Sequence, residues 1–89
     1  MNEDLDRCER CVRQLHNSLV NAITTRKIHP TYGYTKGLLW ERLHQLEGAA
    51  FVYWALKGVP SASPIGAARA ALDELDIDLD DLYAEVTAS

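Results

Sequence analysis

The stretch that decides the fold is residues 35–58, TKGLLWERLHQLEGAAFVYWALKG. Thr35 is placed to cap a helix N-terminus, because its hydroxyl can accept from an otherwise unpaired N–H of the first turn. Tyr34 and Leu39 stand at the two positions of a hydrophobic staple around that cap. At the other end, Lys57-Gly58-Val59-Pro60 puts a cation in the last turn, a glycine just past it and a proline beyond, which together stop a helix. About 22 helical residues make a rod of roughly 33 Å. Leu39, Leu43, Leu46, Ala50 and Tyr53 recur in steps of four and three and form its seam. Trp40, His44, Glu47, Phe51 and Trp54 run alongside. From Ala49 to Leu56 the chain is apolar all round, so this half is expected to be covered on most sides. Gly48-Ala49-Ala50 offers a small-residue patch for a close helix approach. Six of the seven aromatic residues fall between Tyr32 and Trp54, which concentrates packing energy here.

Working outward, Leu5, Cys8, Val12, Leu15, Leu19 and Ala22 form an apolar stripe on a first helix over about residues 2–28. Glu3–Arg7, Asp6–Arg10 and Glu9–Arg13 are i,i+4 pairs with the acid first, the favourable order on an exposed helix face. Pro30 disfavours helix at His29, and the short connection makes the first two helices an antiparallel hairpin. Tyr32 and Tyr34 sit at its tip, either as a contact site or folded back over the hairpin end. Ser63-Pro64 reads as a cap followed by a first-turn proline. A third helix over about 64–75 then carries Ile65, Ala68, Leu72 and Leu75. Leu79, Leu82 and Val86 continue the same rhythm, so one helix to Val86 is an alternative. The pattern favours a break, with Asp78 capping a fourth helix over about 79–87 and Ile77 stapled to Leu82. The expected fold is therefore all-α: a long antiparallel helical hairpin with a broken C-terminal helical segment packed on it, in one domain spanning residues 1–89.

Alternating runs of β-branched residues are missing, which argues against strands. No apolar run approaches the ~18 residues of a membrane span, and no signal-peptide pattern is seen. Two cysteines three residues apart are a poor disulfide framework and point to a reducing, cytoplasmic setting. The net charge of −4 is uneven: the three successive thirds, 1–30, 31–60 and 61–89, carry +1, +1 and −6. Nothing resembles a basic nucleic-acid footprint, so no direct nucleic-acid partner is expected.

No catalytic or cofactor motif is legible, and neither an enzyme nor a cofactor is expected. Cys8-Glu9-Arg10-Cys11 lacks the second ligand pair of a zinc site, and its first thiol lies well inside a helix, away from the dipole that would activate it. It reads as core and flank, with metal, redox or inter-subunit use as alternatives. Glu41-Arg42-Leu43-His44 has the E-x-x-H spacing of di-iron bundles, but one chain holds one copy, so only a dimer completes such a metal site with Glu41 and His44. Asp73, Glu74, Asp76, Asp78, Asp80, Asp81 and Glu85 make the C-terminal third acidic. Asp73, Glu74, Asp80 and Asp81 fall at outer positions and read either as a solvated face, as a surface for a basic protein, or as an imitation of nucleic-acid charge. The aromatic supply exceeds what one narrow interior line can hold, which leaves apolar surface for a partner or a second copy. The expectation is a small non-enzymatic interaction protein, a homodimer, engaging a protein partner through Asp73, Glu74, Asp80, Asp81, Tyr32 and Tyr34.

Overall fold

The computed structural model describes residues 3–31, 34–60 and 63–89. Among them are four helices and no strand: α1 (Glu3–Ile28), α2 (Lys36–Lys57), α3 (Pro64–Glu74) and α4 (Leu79–Ala88). The fold is all-α, as expected, with ends close to those read from the caps. Thr35 Oγ1 accepts from the Leu38 N–H at 3.2 Å. Gly58 closes α2 in the left-handed region, φ 74°, with its N–H on the Ala55 carbonyl. Ser63 caps α3 by accepting from the Gly66 N–H at 3.0 Å, with Pro64 in the first turn.

The break between α3 and α4 has a specific geometry. The Ile77 N–H reaches the Leu72 carbonyl at 2.8 Å and the Asp76 N–H reaches the Asp73 carbonyl at 3.1 Å. This pair of bonds is the Schellman closure, which needs a left-handed residue at its centre. That residue is Asp76, φ 61°, the one non-glycine with positive φ among the described residues. The turn carries Ile77 inward, where it is 4% exposed. A continuous helix would have pointed Ile77 away from the seam. Asp78 then caps α4 by accepting from the Asp81 N–H at 3.1 Å.

α2 is the central element and packs against α1, α3 and α4. Leu39, Leu43, Leu46 and Ala50 on its seam are completely buried, and Tyr53 nearly so. Val12, Leu19 and Ala22 from α1, Ala68, Ala71 and Leu72 from α3, and Leu79, Leu82 and Val86 from α4 complete one core. Arg26 ties the far ends together: its Nε and Nη2 donate to the Ser89 carbonyl at 3.2 and 3.0 Å, and its Nη1 to the Tyr34 carbonyl at 3.0 Å. Lys27 pairs with Glu85 at 2.8 Å, and Lys36 donates to the Thr87 carbonyl at 2.7 Å. The C-terminal end of α4 is thereby fastened to the loop end of the hairpin.

The molecule measures 45 × 26 × 19 Å. A helix with its side chains is about 10–12 Å across, so the short dimension holds roughly two layers. The central helix is consequently covered on only part of its circumference. This corrects the expectation for Ala49–Leu56. Ala50 and Tyr53 face the core, but Phe51, Val52 and Leu56 are 41%, 48% and 46% exposed. Ile65, placed on the α3 seam by spacing, is likewise exposed, because Ala67, Ala68, Ala71 and Leu72 make the contact instead.

Candidate functional site

The sequence nominated the acids first, and the structure separates them into two kinds. Glu74 is turned toward α2. Its Oε2 accepts from the Tyr53 hydroxyl at 2.9 Å and its Oε1 pairs with Lys57. These two bonds, Lys57 first, hold the Glu74 carboxyl below the usual carboxylate range. Burial, and then the bond to Glu74, push the Tyr53 phenol up to about 12. Asp80 accepts from the only base of the C-terminal third, Arg69, at 2.6 Å. All four acids are exposed, but Glu74 and Asp80 are engaged within the fold by these side-chain bonds. Asp73, Asp76, Asp78 and Asp80 converge on an open depression of about 440 Å³ at the α3–α4 turn.

Of the two loop tyrosines, Tyr32 lies outside the described residues. Tyr34 is folded back: it is half-buried against the core, its carbonyl is held by Arg26, and the Arg42 guanidinium lies 4.6 Å from its ring centroid. Arg42 also donates to Ser18 on α1. Tyr34 is thus a joint of the hairpin, cemented by a cation–π contact.

Glu41 and His44 share one side of α2 as their spacing requires, and both are exposed. The His44 Nδ1, however, is 2.9 Å from Glu47 Oε1, and its ring stacks on Trp40 with centroids 6.0 Å apart. Glu47 is itself occupied, accepting from the Tyr83 hydroxyl at 2.6 Å. This bond, aided by burial, pushes the Tyr83 phenol up to about 12. Among the described residues no group of three or more His, Cys, Asp or Glu side chains is arranged to hold a metal. Cys8 is half-buried against the core and Cys11 is exposed; both are free thiols. No described helix is long and apolar enough to cross a membrane.

A more extensive feature lies on the outer side of α2. Gly48, Phe51, Val52, Ala55 and Leu56 are all exposed, and Val59, just past the cap, is exposed as well. The spacing of three, one, three and one from Gly48 to Leu56 marks a second helical stripe, opposite the core seam. It holds no charged residue. The two charges nearest in sequence are turned inward: Glu47, with a side chain only 13% exposed, is bound by Tyr83 and His44, and Lys57, 24% exposed, by Glu74. Beside Phe51, the exposed Ile65 of α3 extends the apolar sector across a groove of about 320 Å³ bounded by Gly48, Ala68 and Tyr83. A second groove, about 370 Å³, lies between α1 and α4 and is mixed in character, with His16 and Lys27 facing Asp78, Asp81 and Glu85.

Sequence reasoning anticipated leftover apolar surface without locating it. The signal was present in the i, i+3, i+4 spacing from Gly48 to Leu56, masked because both sides of the helix are apolar there. Tyr83 was missed, and Arg26, legible as a cation suited to the end of α1, was not foreseen as a tie; their distant partners, Glu47 and Ser89, lie 36 and 63 residues away in the chain. Comparison of the chain with protein-family models, curated proteins and solved structures gives no match.

Proposed function

We propose that this protein is a small non-enzymatic interaction module, which works by presenting its surface to another protein. The observation that carries this reading is the bare apolar sector of α2. Five large apolar side chains on and beside α2, Phe51, Val52, Leu56, Val59 and Ile65, are each 41–62% exposed, on a chain of only 89 residues. Taking ~150–250 Å² for a fully exposed large side chain, they leave on the order of 400 Å² of apolar surface in water, as much as the largest patch of a typical monomer. The largest apolar patch on a monomer is often functional, and an uncharged helix face of this extent is a natural place for association. The free thiols of Cys8 and Cys11 suit a reducing, cytoplasmic setting.

The acidic depression at the α3–α4 turn favours a second surface, one for a basic protein, including a protein that itself binds nucleic acid. Within the depression Asp78 is used as the cap of α4 and Asp80 holds Arg69, which leaves Asp73 and Asp76; Asp81 adjoins it on the α1–α4 groove, and Glu74 is held by Tyr53 and Lys57. The test compares proteins retained from a native lysate by the wild type, by V52E/L56E and by D73K/D81K, with quantitative mass spectrometry. The reading expects bound proteins that one variant loses and the other keeps. Identical retention by all three folded baits would refute it.

A further inference from the structure

We infer that the occupant of the outer face of α2 is a second copy of this chain, paired antiparallel about Val52. The inference rests on reading this sector as a protein-binding surface, and it adds the identity of the partner. Three properties of the face argue for self-association.

The first is area. A standard interface takes about 800 Å² from each partner and is a little over half apolar. The roughly 400 Å² of apolar surface on Phe51, Val52, Leu56, Val59 and Ile65 supplies that kernel from one face of one protomer.

The second is charge. An interface between copies of one chain meets itself, so a charge near its centre faces its own like. Here the centre has none, and the neighbouring Glu47 and Lys57 are turned into the protomer, Glu47 bound by Tyr83 and His44 and Lys57 paired with Glu74. Four aspartates are gathered around the α3–α4 turn, and the exposed acid nearest the centre on the outer side of α2, Glu41, lies about two turns before Gly48. Charge depletion at the core is also what separates permanent homodimer interfaces from ordinary surface.

The third is shape. Gly48 and Leu56 lie four residues on either side of Val52, one turn each way. In an antiparallel pair centred on Val52, Leu56 of one copy lies over Gly48 of the other, and the reverse holds across the two-fold axis. A side-chain carbon built on Gly48 would meet nothing within 4 Å, so the space above it is open to a knob from outside. The face thus carries both a projecting leucine and its receiving gap, at the separation that a two-fold axis demands. A face shaped for an unrelated partner has no reason to be complementary to itself.

The test is sedimentation equilibrium or light scattering at roughly 50 µM, where a micromolar dimer is almost fully formed. The wild type is expected to be a dimer. V52E/L56E should weaken it by roughly 100-fold or more, as expected for charge at the centre of an interface. Gly48→Arg is the independent variant. It improves helix propensity and has room in the protomer, so the fold should hold by circular dichroism while the dimer is lost. In a C8S/C11S background, Val52→Cys should form an inter-subunit disulfide on mild oxidation, because the two copies of residue 52 meet at the axis. A monomeric wild type overturns the inference. So does a dimer that survives both face variants, or one in which residue 52 does not cross-link. A monomer whose V52E/L56E variant still loses a captured protein would overturn the second copy alone and leave the interaction reading standing.

Discussion

Replacing Glu74 by alanine separates an acid that belongs to the fold from one that is free for a partner. Two contacts are lost. The Tyr53 hydroxyl, on a side chain 4% exposed, loses its acceptor at 2.9 Å. A hydrogen bond to a charged group contributes about 1.5–3 kcal/mol, much of it as the cost of leaving the buried donor unmade. Lys57 loses its counter-ion, but the two side chains are 24% and 39% exposed. Solvent screening holds that pair to about 0.5 kcal/mol. Removing a negative charge from the C-terminal turn of α3, and gaining alanine's helix propensity, returns about 0.5 kcal/mol. The net loss is about 2 kcal/mol, or roughly 8–15 °C in Tm for a domain of this size. Asp73→Ala, one residue earlier and exposed, should stay within about 0.5 kcal/mol of wild type.

Urea unfolding followed by helical circular dichroism at one fixed protein concentration measures both, since any self-association makes stability concentration-dependent. Tyr53→Phe and the double variant close a cycle, in which a coupling of about 1 kcal/mol or more is expected. The pH dependence has a definite sign. Glu74 titrates lower in the folded chain than in the unfolded one. Its contribution is present above the unfolded carboxyl value of about 4.3 and is lost as pH falls through the lower folded value. Glu74→Ala should therefore flatten the acid limb of the stability curve. Equal stabilities for the Glu74 and Asp73 variants, with no coupling to Tyr53, would refute the reasoning and return Glu74 to the solvated acids.

At alkaline pH, Tyr53 and Tyr83 should ionise only near pH 12, well after an ordinary phenol near 10, as read by ultraviolet titration. Their folded values are raised, so the stability they contribute is complete below about pH 10 and is lost as pH rises toward 12; four tyrosines ionising together near 10 would contradict this. Asp76→Gly should stabilise the chain by about 0.5 kcal/mol, because glycine adopts the φ of 61° at the α3–α4 turn without the clash a β-carbon brings there. A loss of stability in the same denaturation assay would mean that the Asp76 side chain contributes more than its backbone strain costs.

Local physics reached far into this molecule. Cap chemistry at Thr35, Gly58, Ser63 and Asp78 depends on groups within three or four residues, so the helix ends were legible from residue order. The same holds for the core seams, since the steps from Leu39 to Tyr53 and from Val12 to Ala22 are set by helical pitch. Even the break at Asp76–Asp78 was signalled, because capping at Asp78 and burial of Ile77 both favoured it over continuity.

Periodicity could not say which apolar side of α2 would be covered. Both stripes have helical spacing, and the choice between them belongs to the neighbours: α1, α3 and α4 close over Leu39, Leu43, Leu46, Ala50 and Tyr53 and leave Phe51, Val52 and Leu56 in water. Nor could composition tell Glu74 from Asp73. Adjacent acids have the same local chemistry, and only the packing of α3 on α2 brings Tyr53 and Lys57 within reach of one of them. Residue order thus determined what each segment is, because helix formation and capping are short-range. Tertiary packing decided which side chains remain available to a partner, because exposure is what is left after distant segments have met.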